Sequence, residues 1–371
     1  MTPGQSEQAP ALEIADLNVR YGPVHAVRDT CLTVGAGQVV ALIGETGSGK
    51  SSLALAAARL LPRSAAVTGQ VAIAGKEVSG LGGSEFRRVR ASLLGCIAQD
   101  AMAALNPVVP VGRQIGELFA VHAGMSRPQA AEAAVAALAQ VEIRHPAAVA
   151  RLYPHQLSGG MRQRVMIAMA MALAPPLIVA DEPTTALDVS TQAEILALIG
   201  ELRARMRSGF LWITHDMGVV AELADWAAVM YAGRIVEQGP VDVIFDAPAH
   251  PYTEGLLATR RDLRSGAPGA PLFQIPGSPP GPGEEPPGCP FAPRCPRATA
   301  ICNEVDPSLE PAVGEGGAGL AGGAGSMNGH RVACHHPAAD AVGAWAAPAG
   351  PAEKPAAKTG DNLGTAGTVA L

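Results

Sequence analysis

The chain has 371 residues, of which 48% are hydrophobic and 16% charged, and its formal net charge is −6. That length can bury one large core with an appendage, or two domains. The mild acidity argues against a general nucleic-acid binder, which carries a basic excess.

The N-terminus lacks the basic start and apolar core of a secretory signal. The most apolar stretch, Val165 to Ala180, is short for a bilayer span and is broken at Pro175–Pro176. A cytoplasmic protein is expected, one that meets a membrane only through a partner.

Residues 1–10 read as a flexible tail. "LEIADLNVRYG", "VRDTCLTVGAG" and "GQVAIAGKEV" read as antiparallel strands with glycine turns. Cys31 and Cys96 lie in strand-like apolar surroundings and are expected to be small buried residues. "GQVVALIGE" is a buried strand entering a glycine loop, and "SSLALAAARLL" is the helix leaving it. The Ala-rich chain from Pro107 to Tyr153 reads as a helical insert. "PLIVADEP" and "GFLWITHD" are two more buried strands. Strands alternating with helices predict a mostly parallel sheet covered on both faces. After about Arg260 the composition turns Pro/Gly-rich, then brings four cysteines, a Gly/Ala stretch and an Ala/Pro/Gly tail.

"GETGSGKS", Gly44 to Ser51, fits a phosphate loop in the strand–loop–helix context that the motif requires. Its glycines let backbone N–H groups close round phosphates. Lys50 neutralises them, and the Ser51 hydroxyl binds Mg²⁺. "LIVADEP" ends a buried strand in two acids. Asp181 is placed to hold Mg²⁺ through water, and Glu182 to polarise the attacking water as a general base. "LSGGM" is a second helix start suited to phosphate. Ser158 offers a hydroxyl, and Gly159 and Gly160 permit close backbone approach.

The phosphate loop, "LSGGMRQR", "VADEPTTALD" and "WITHD" follow one another in that order. Together they resemble the ATP-binding subunits of ABC transporters, over about residues 12–260. The resemblance implies an α/β P-loop NTPase fold: a RecA-like parallel core, an antiparallel β subdomain, a helical subdomain over about 100–165, and an irregular C-terminal extension. It implies that Gly44, Glu45, Thr46, Gly47, Ser48, Gly49, Lys50, Ser51 and Ser52 surround the nucleotide, and that Tyr21 stacks on adenine. Gln99 would sense Mg²⁺ and the attacking water, and His215 would bridge γ-phosphate and Glu182. Asp188 would contact a second ATPase subunit. Ser158, Gly159 and Gly160 would close on that subunit's ATP in a head-to-tail pair, so the chain alone would be a poor ATPase.

"HPYT", "QIPGSPP" and "GCPFAPRCPRATAIC…HRVAC" further resemble the oligopeptide/dipeptide importer ATPases, a branch in which some relatives serve nickel or other small solutes. "QDAMAALNPV" departs from that branch's more usual "QDPMTSLNPV", and the Gly/Ala stretch departs from its compact tail. Cys289, Cys295, Cys302 and Cys334 are spaced C-x5-C-x6-C-x31-C, which is neither a ferredoxin nor a zinc-finger pattern. Four thiolates suit an iron–sulfur cluster or tetrahedral zinc, and free thiols are the plain alternative. The resemblance favours a [4Fe–4S] cluster, with His330, His335 and His336 as substitute ligands or solvated side chains.

The expected organisation is a tail over 1–10, an ATPase domain over 11–260, the cysteine-bearing extension over 261–338 and a disordered tail over 339–371. The expected function is ATP hydrolysis that powers peptide uptake at the cytoplasmic face of the membrane. Two permease subunits, a second ATPase subunit of a different chain, and a solute-binding protein would complete the complex, with no nucleic acid. A soluble ABC ATPase acting on DNA or ribosomes would bring coiled-coil insertions or tandem domains, which this chain lacks. A metal- or redox-sensing protein is the other rival.

Overall fold

A computed structural model describes residues 9–185, 187–265, 273–312, 329–337 and 345. The expected N-terminal tail, Gly/Ala stretch and C-terminal tail lie almost wholly outside the described residues.

Strands β1 (Leu12–Tyr21) and β2 (Val24–Val34) form a hairpin, and β3 (Val39–Ile43) leads through the glycine loop into α1 (Lys50–Ala57). β4 (Ala65–Ile73) and β5 (Lys76–Glu77) add to β1, giving an antiparallel sheet in the order β2-β1-β4-β5. Helix α2 (Gly83–Leu93) runs into β6 (Leu94–Ile97). The helical segment then holds α3 (Ala101–Ala104), α4 (Val111–His122), α5 (Arg127–Gln140), α6 (Pro146–Val149) and α7 (Gly159–Met171). β7 (Leu177–Asp181), α8 (Val189–Met206), β8 (Gly209–Thr214), α9 (Met217–Leu223) and β9 (Trp226–Tyr231) alternate as expected. β10 (Arg234–Pro240), α10 (Val241–Asp246) and α11 (Pro251–Ser265) follow. The extension contributes α12 (Ala300–Glu304), β11 (Glu310–Pro311) and β12 (Arg331–Val332).

The main sheet has the order β11-β12-β10-β9-β3-β8-β7-β6, with β6, β7, β8, β3 and β9 parallel. Every residue of β3 and β8 is buried, as strands covered on both faces must be. Successive side chains point to opposite faces, so each strand feeds two cores. Val40 and Leu42 pack with Leu177, Val179, Leu211 and Ile213 under the antiparallel sheet and α1. Ala41 and Ile43 pack on the other side with Val229, Tyr231, Tyr252 and Phe291. Ile178, Ala180, Phe210 and Trp212 face the helical segment. Burying a side chain such as Leu42 contributes about 2 kcal/mol.

Two expectations need correction. Cys31 and Cys96 are exposed. They lie on β2 and β6, the edge strands of the two sheets, and alternation turns them outward. The extension is also less irregular than its composition suggests: β12 pairs antiparallel with β10, Glu237 opposite Val332, and so joins the core sheet. Helix α11 runs through residue 260, where the composition changes.

Candidate functional site

The in-register parallel pairing of β3, β8 and β7 sets Ile43 beside Thr214 and Asp181 beside Ile213. β6 pairs with β7 so that Ile97 lies beside Ala180. The residues just after these four strands, Gly44, Gln99, Glu182 and His215, therefore emerge at one edge. That carboxyl edge is where open α/β sheets bind ligands.

Two glycines shape the loop. Gly44 has φ +154°, and a Cβ there would lie 2.2 Å from the Met230 carbonyl oxygen. Gly49 has φ +106°, and a Cβ there would lie 2.3 Å from the Ala26 carbonyl oxygen. Neither contact is possible, so the loop requires glycine at both positions. The Ser48 N–H donates to the Glu45 carbonyl at 3.2 Å, and the Ser48 carbonyl accepts from Gly233 N–H at 2.9 Å. Thr46 and Gly47 form the exposed crest. Lys50 is buried, and its Nζ donates to the carbonyls of Gly44 at 2.8 Å and Glu45 at 2.9 Å and to Ser48 Oγ at 3.4 Å. Burial lowers its pKa, opposed by the charges of Glu182, Asp181 and Glu45. The Tyr21 hydroxyl donates to Ser52 Oγ at 3.4 Å, which puts the ring beside the first turn of α1.

Ser51 Oγ donates to Asp181 Oδ1 at 3.4 Å. Burial raises the Asp181 pKa, and the Ser51 hydrogen bond opposes that rise. Glu182 takes a positive φ of 45°, a conformation that costs energy in a non-glycine residue. Its N–H donates to the Ile213 carbonyl at 3.0 Å. Its carboxylate accepts from Gln99 Nε2 at 3.3 Å and Thr185 Oγ1 at 3.1 Å, and lies 3.0 Å from His215 Nδ1. Lys50, Ser51, Asp181, Glu182, Gln99 and His215 thus form one neighbourhood with acid, base and cation in reach of each other. A carboxylate held by three side chains has the form of an oriented general base. The Ser51–Asp181 pair offers two oxygens of the kind that bind Mg²⁺.

The second helix start is elsewhere. Ser158 caps α7 by accepting from Met161 N–H at 3.3 Å. Asp188 caps α8, accepting from the Thr191 N–H at 3.0 Å and from the Ser190 and Thr191 hydroxyls at 2.8 Å. Those bonds hold its pKa at about 2. A Cβ on Gly160 would lie 2.7 Å from Thr191 Cγ2, whereas one on Gly159 would meet only Leu187 Cδ2 at 3.9 Å. Gly160 therefore has a packing reason within the chain: it lets α7 and α8 start side by side. Among the described residues, no hydrogen bond joins Ser158, Gly159, Gly160 or Asp188 to the phosphate loop.

Cys289, Cys295, Cys302 and Cys334 line one small cavity with His335, His336 and Arg297. The Cys289 N–H donates to the Cys302 carbonyl at 2.8 Å. Burial, with the neighbouring thiols, pushes Cys289 and Cys334 up to about 11. His336 Nε2 is engaged by the Thr299 hydroxyl at 2.7 Å, His335 by the Val305 carbonyl at 2.8 Å, and His330 by Glu237 at 2.7 Å. Four sulfur donors on one cavity suit a soft metal. Yet no group of three or more His, Cys, Asp or Glu among the described residues is arranged to hold one. The donor chemistry fits; the ligating arrangement is not formed.

Two residues at the loop escape a motif-based reading. Arg294, in the extension, pairs with Glu45, and the Tyr252 hydroxyl accepts from the Glu45 N–H at 2.7 Å. The one available signal is Glu45 itself, since an acid in a phosphate loop calls for a compensating cation. Nothing in the local pattern says which cation supplies it.

Fold and site together define a P-loop ATPase of the ABC type. Residues 27–185 match the family "ABC transporter", and residues 236–302 match "Oligopeptide/dipeptide transporter, C-terminal region". The oligopeptide transport ATP-binding protein OppD of Salmonella typhimurium is 44% identical over 300 residues, covering 80% of this chain and 89% of that one. OppD of Mycobacterium tuberculosis is 46% identical over 306 residues, where this chain spans 50% of the relative. Among solved structures, the dimeric post-hydrolysis ATP-binding cassette MJ0796 bound to ADP and Pi matches with TM-score 0.55 and 25% identity, over 62% of this chain and 98% of that one. The cbiO1 subunit of Clostridium perfringens, part of the cbiONQ ABC transporter, matches with TM-score 0.57 and 25% identity, over 69% and 96%. The chain belongs to the ABC transporter ATP-binding family, in its oligopeptide/dipeptide branch. ATP and Mg²⁺ are the ligands of that family's site.

Proposed function

We propose that this chain is the ATP-hydrolysing subunit of an importer for oligopeptides or dipeptides. The observation that carries the reading is the joining, in one chain, of the Glu182–Gln99–His215 cluster at the phosphate loop to an extension of the oligopeptide/dipeptide type. Backbone N–H groups of Gly44 to Gly49 and the Lys50 ammonium bind the phosphates. Ser51, Gln99 and Asp181 hold Mg²⁺, which supplies charge neutralisation at the developing phosphoryl oxygens. Glu182 takes the proton of the attacking water, and His215 and Gln99 orient its carboxylate. Tyr21 stacks on adenine.

Ser158, Gly159, Gly160 and Asp188 serve a second ATPase subunit of a different chain. Among the described residues no hydrogen bond runs from these positions to the chain's own loop, which supports a role toward a second subunit, and MJ0796, a fold relative, is dimeric. ATP closes the pair and hydrolysis opens it, and α3 to α7 pass the motion to two permease subunits. Among the described residues no helix is long and apolar enough to cross a membrane. The chain docks against the permeases, peripherally, on the cytoplasmic face. A solute-binding protein delivers the peptide. The four cysteines supply the thiolate donors that a [4Fe–4S] cluster would take, and such a cluster would stiffen the extension; their common cavity supports this reading, although among the described residues they are not arranged to ligate.

The test is reconstitution of the chain with its permeases and second ATPase in vesicles. Peptide with its binding protein should stimulate ATP hydrolysis severalfold and be carried across. Stimulation by Ni²⁺ and not by peptide would replace the substrate class.

A further inference from the structure

The phosphate loop of this protein contains a carboxylate. Glu45 is its second residue, beside the backbone N–H groups that face phosphate, and its charge opposes every phosphate that enters. The structure pairs it with a cation from 249 residues away. Arg294 Nη1 donates to Glu45 Oε2 at 2.7 Å and Nη2 to Oε1 at 3.0 Å. This is the two-pronged arrangement in which guanidinium and carboxylate match best.

Arg294 is itself fixed. Its side chain is 4% exposed. Its Nε donates to the Pro276 carbonyl at 2.9 Å, and Nη1 also reaches the Tyr231 hydroxyl at 3.3 Å. The guanidinium lies 5.8 Å from the ring centres of Tyr231 and of Phe291. The Glu45 backbone is held as well, through the Tyr252 hydroxyl. Tyr252, Tyr231 and Phe291 pack as one aromatic cluster, with ring centres 4.7 to 5.4 Å apart. Further ion pairs seat the extension on the same side of the molecule: Arg20 with Glu285, and Arg28 and Arg234 with Asp306.

We propose that Arg294 is a positioning residue for ATP binding: it neutralises Glu45 and fixes its carboxylate, so that the C-terminal extension completes the phosphate loop. This rests on the reading that Gly44 to Ser51 hold the phosphates of ATP. Loss of Arg294 leaves a half-buried carboxylate without its partner, next to the incoming anion. Loss of both charges leaves no such anion. Breaking one side of a charge pair is therefore worse than removing the pair. Lysine is a poor substitute, because a point charge cannot engage both carboxylate oxygens in one plane.

The test is MgATP affinity of the full-length chain at fixed ionic strength, with folding checked by circular dichroism. R294Q should lose at least tenfold in affinity, and the double variant E45Q/R294Q should return to within threefold of wild type. If Arg294 served only to pin the extension through Pro276 and Tyr231, the double variant would stay as weak as R294Q. That result, or wild-type affinity in R294Q, overturns the proposal. Should R294Q not fold, R294K takes its place, with at least a threefold loss that E45Q recovers, and wild-type affinity in R294K overturns the proposal. K50A separates the two levels: if it binds MgATP like wild type, the assignment of the loop fails, whatever R294Q does.

Discussion

Glu182 Oε1 lies 3.0 Å from His215 Nδ1, across the ends of two adjacent parallel strands. Glu182 leaves β7 in a positive-φ conformation, and His215 follows Thr214 at the end of β8. Because β7 and β8 are paired in register, Asp181 beside Ile213, the two side chains meet although 33 residues separate them. The same carboxylate receives Gln99 and Thr185, so it is aimed before any water arrives.

Glu182→Gln removes the carboxylate proposed as the general base but keeps its shape. Hydrolysis should fall by about 10²- to 10³-fold, while MgATP binding survives and the closed ATPase pair accumulates. Turnover within a few-fold of wild type in a single-turnover assay would remove Glu182 from the base role.

Ser158→Ala removes the cap of α7. The chain should lose about 1 kcal/mol of stability, read from denaturant unfolding. MgATP binding to its own loop should hold, because among the described residues no hydrogen bond joins Ser158 to that loop. Hydrolysis at the second subunit's ATP in the assembled pair should drop at least tenfold. An equal loss of MgATP binding in the isolated chain would place Ser158 in its own site instead.

His250 makes folding sensitive to acid. It is fully buried, its Nδ1 accepts from the Tyr252 N–H at 3.0 Å, and it stands beside Phe291. Burial lowers its pKa to about 4, with Glu237 opposing the shift and Arg297 adding to it. The unfolded chain therefore binds the extra proton first. The stability is complete above about pH 6.5, and it is lost as pH falls from there toward about 4, by on the order of 3 kcal/mol in total. In His250→Asn this part of the difference between unfolding free energies at pH 7 and pH 4.5 should vanish. A pH dependence equal to wild type would show that another group carries it.

The thiol cavity is testable by composition. Anaerobically purified protein should contain about four iron and four acid-labile sulfide per chain, as expected for a [4Fe–4S] centre. Cys302→Ser should lose both. Protein with stoichiometric zinc, or with neither metal nor sulfide, would sink the cluster assignment.

The phosphate loop, the acidic strand end and the glycine-bearing helix start at "LSGGM" were legible because their requirements are local. A nest of N–H groups needs glycine at fixed offsets, as Gly44 and Gly49 show. A fully buried parallel strand needs an unbroken apolar run, as in "VVALI" and "GFLWIT". The alternation of those strands with helices therefore specified the class of fold, and the order of the motifs specified the family.

Only the tertiary structure decided the pairings that cross the chain. Nothing near Glu45 says that its counter-charge is Arg294, and nothing near Val332 says that it will lie beside Glu237 in the core sheet. Local pattern placed Cys31 and Cys96 in strands and read them as buried, whereas both lie on edge strands and face solvent. The physical reason is one of range. Backbone geometry and hydrophobic alternation act over a few residues and are written in neighbours. A charge is satisfied by whatever folding brings within 3 Å, and only the packed chain determines that partner.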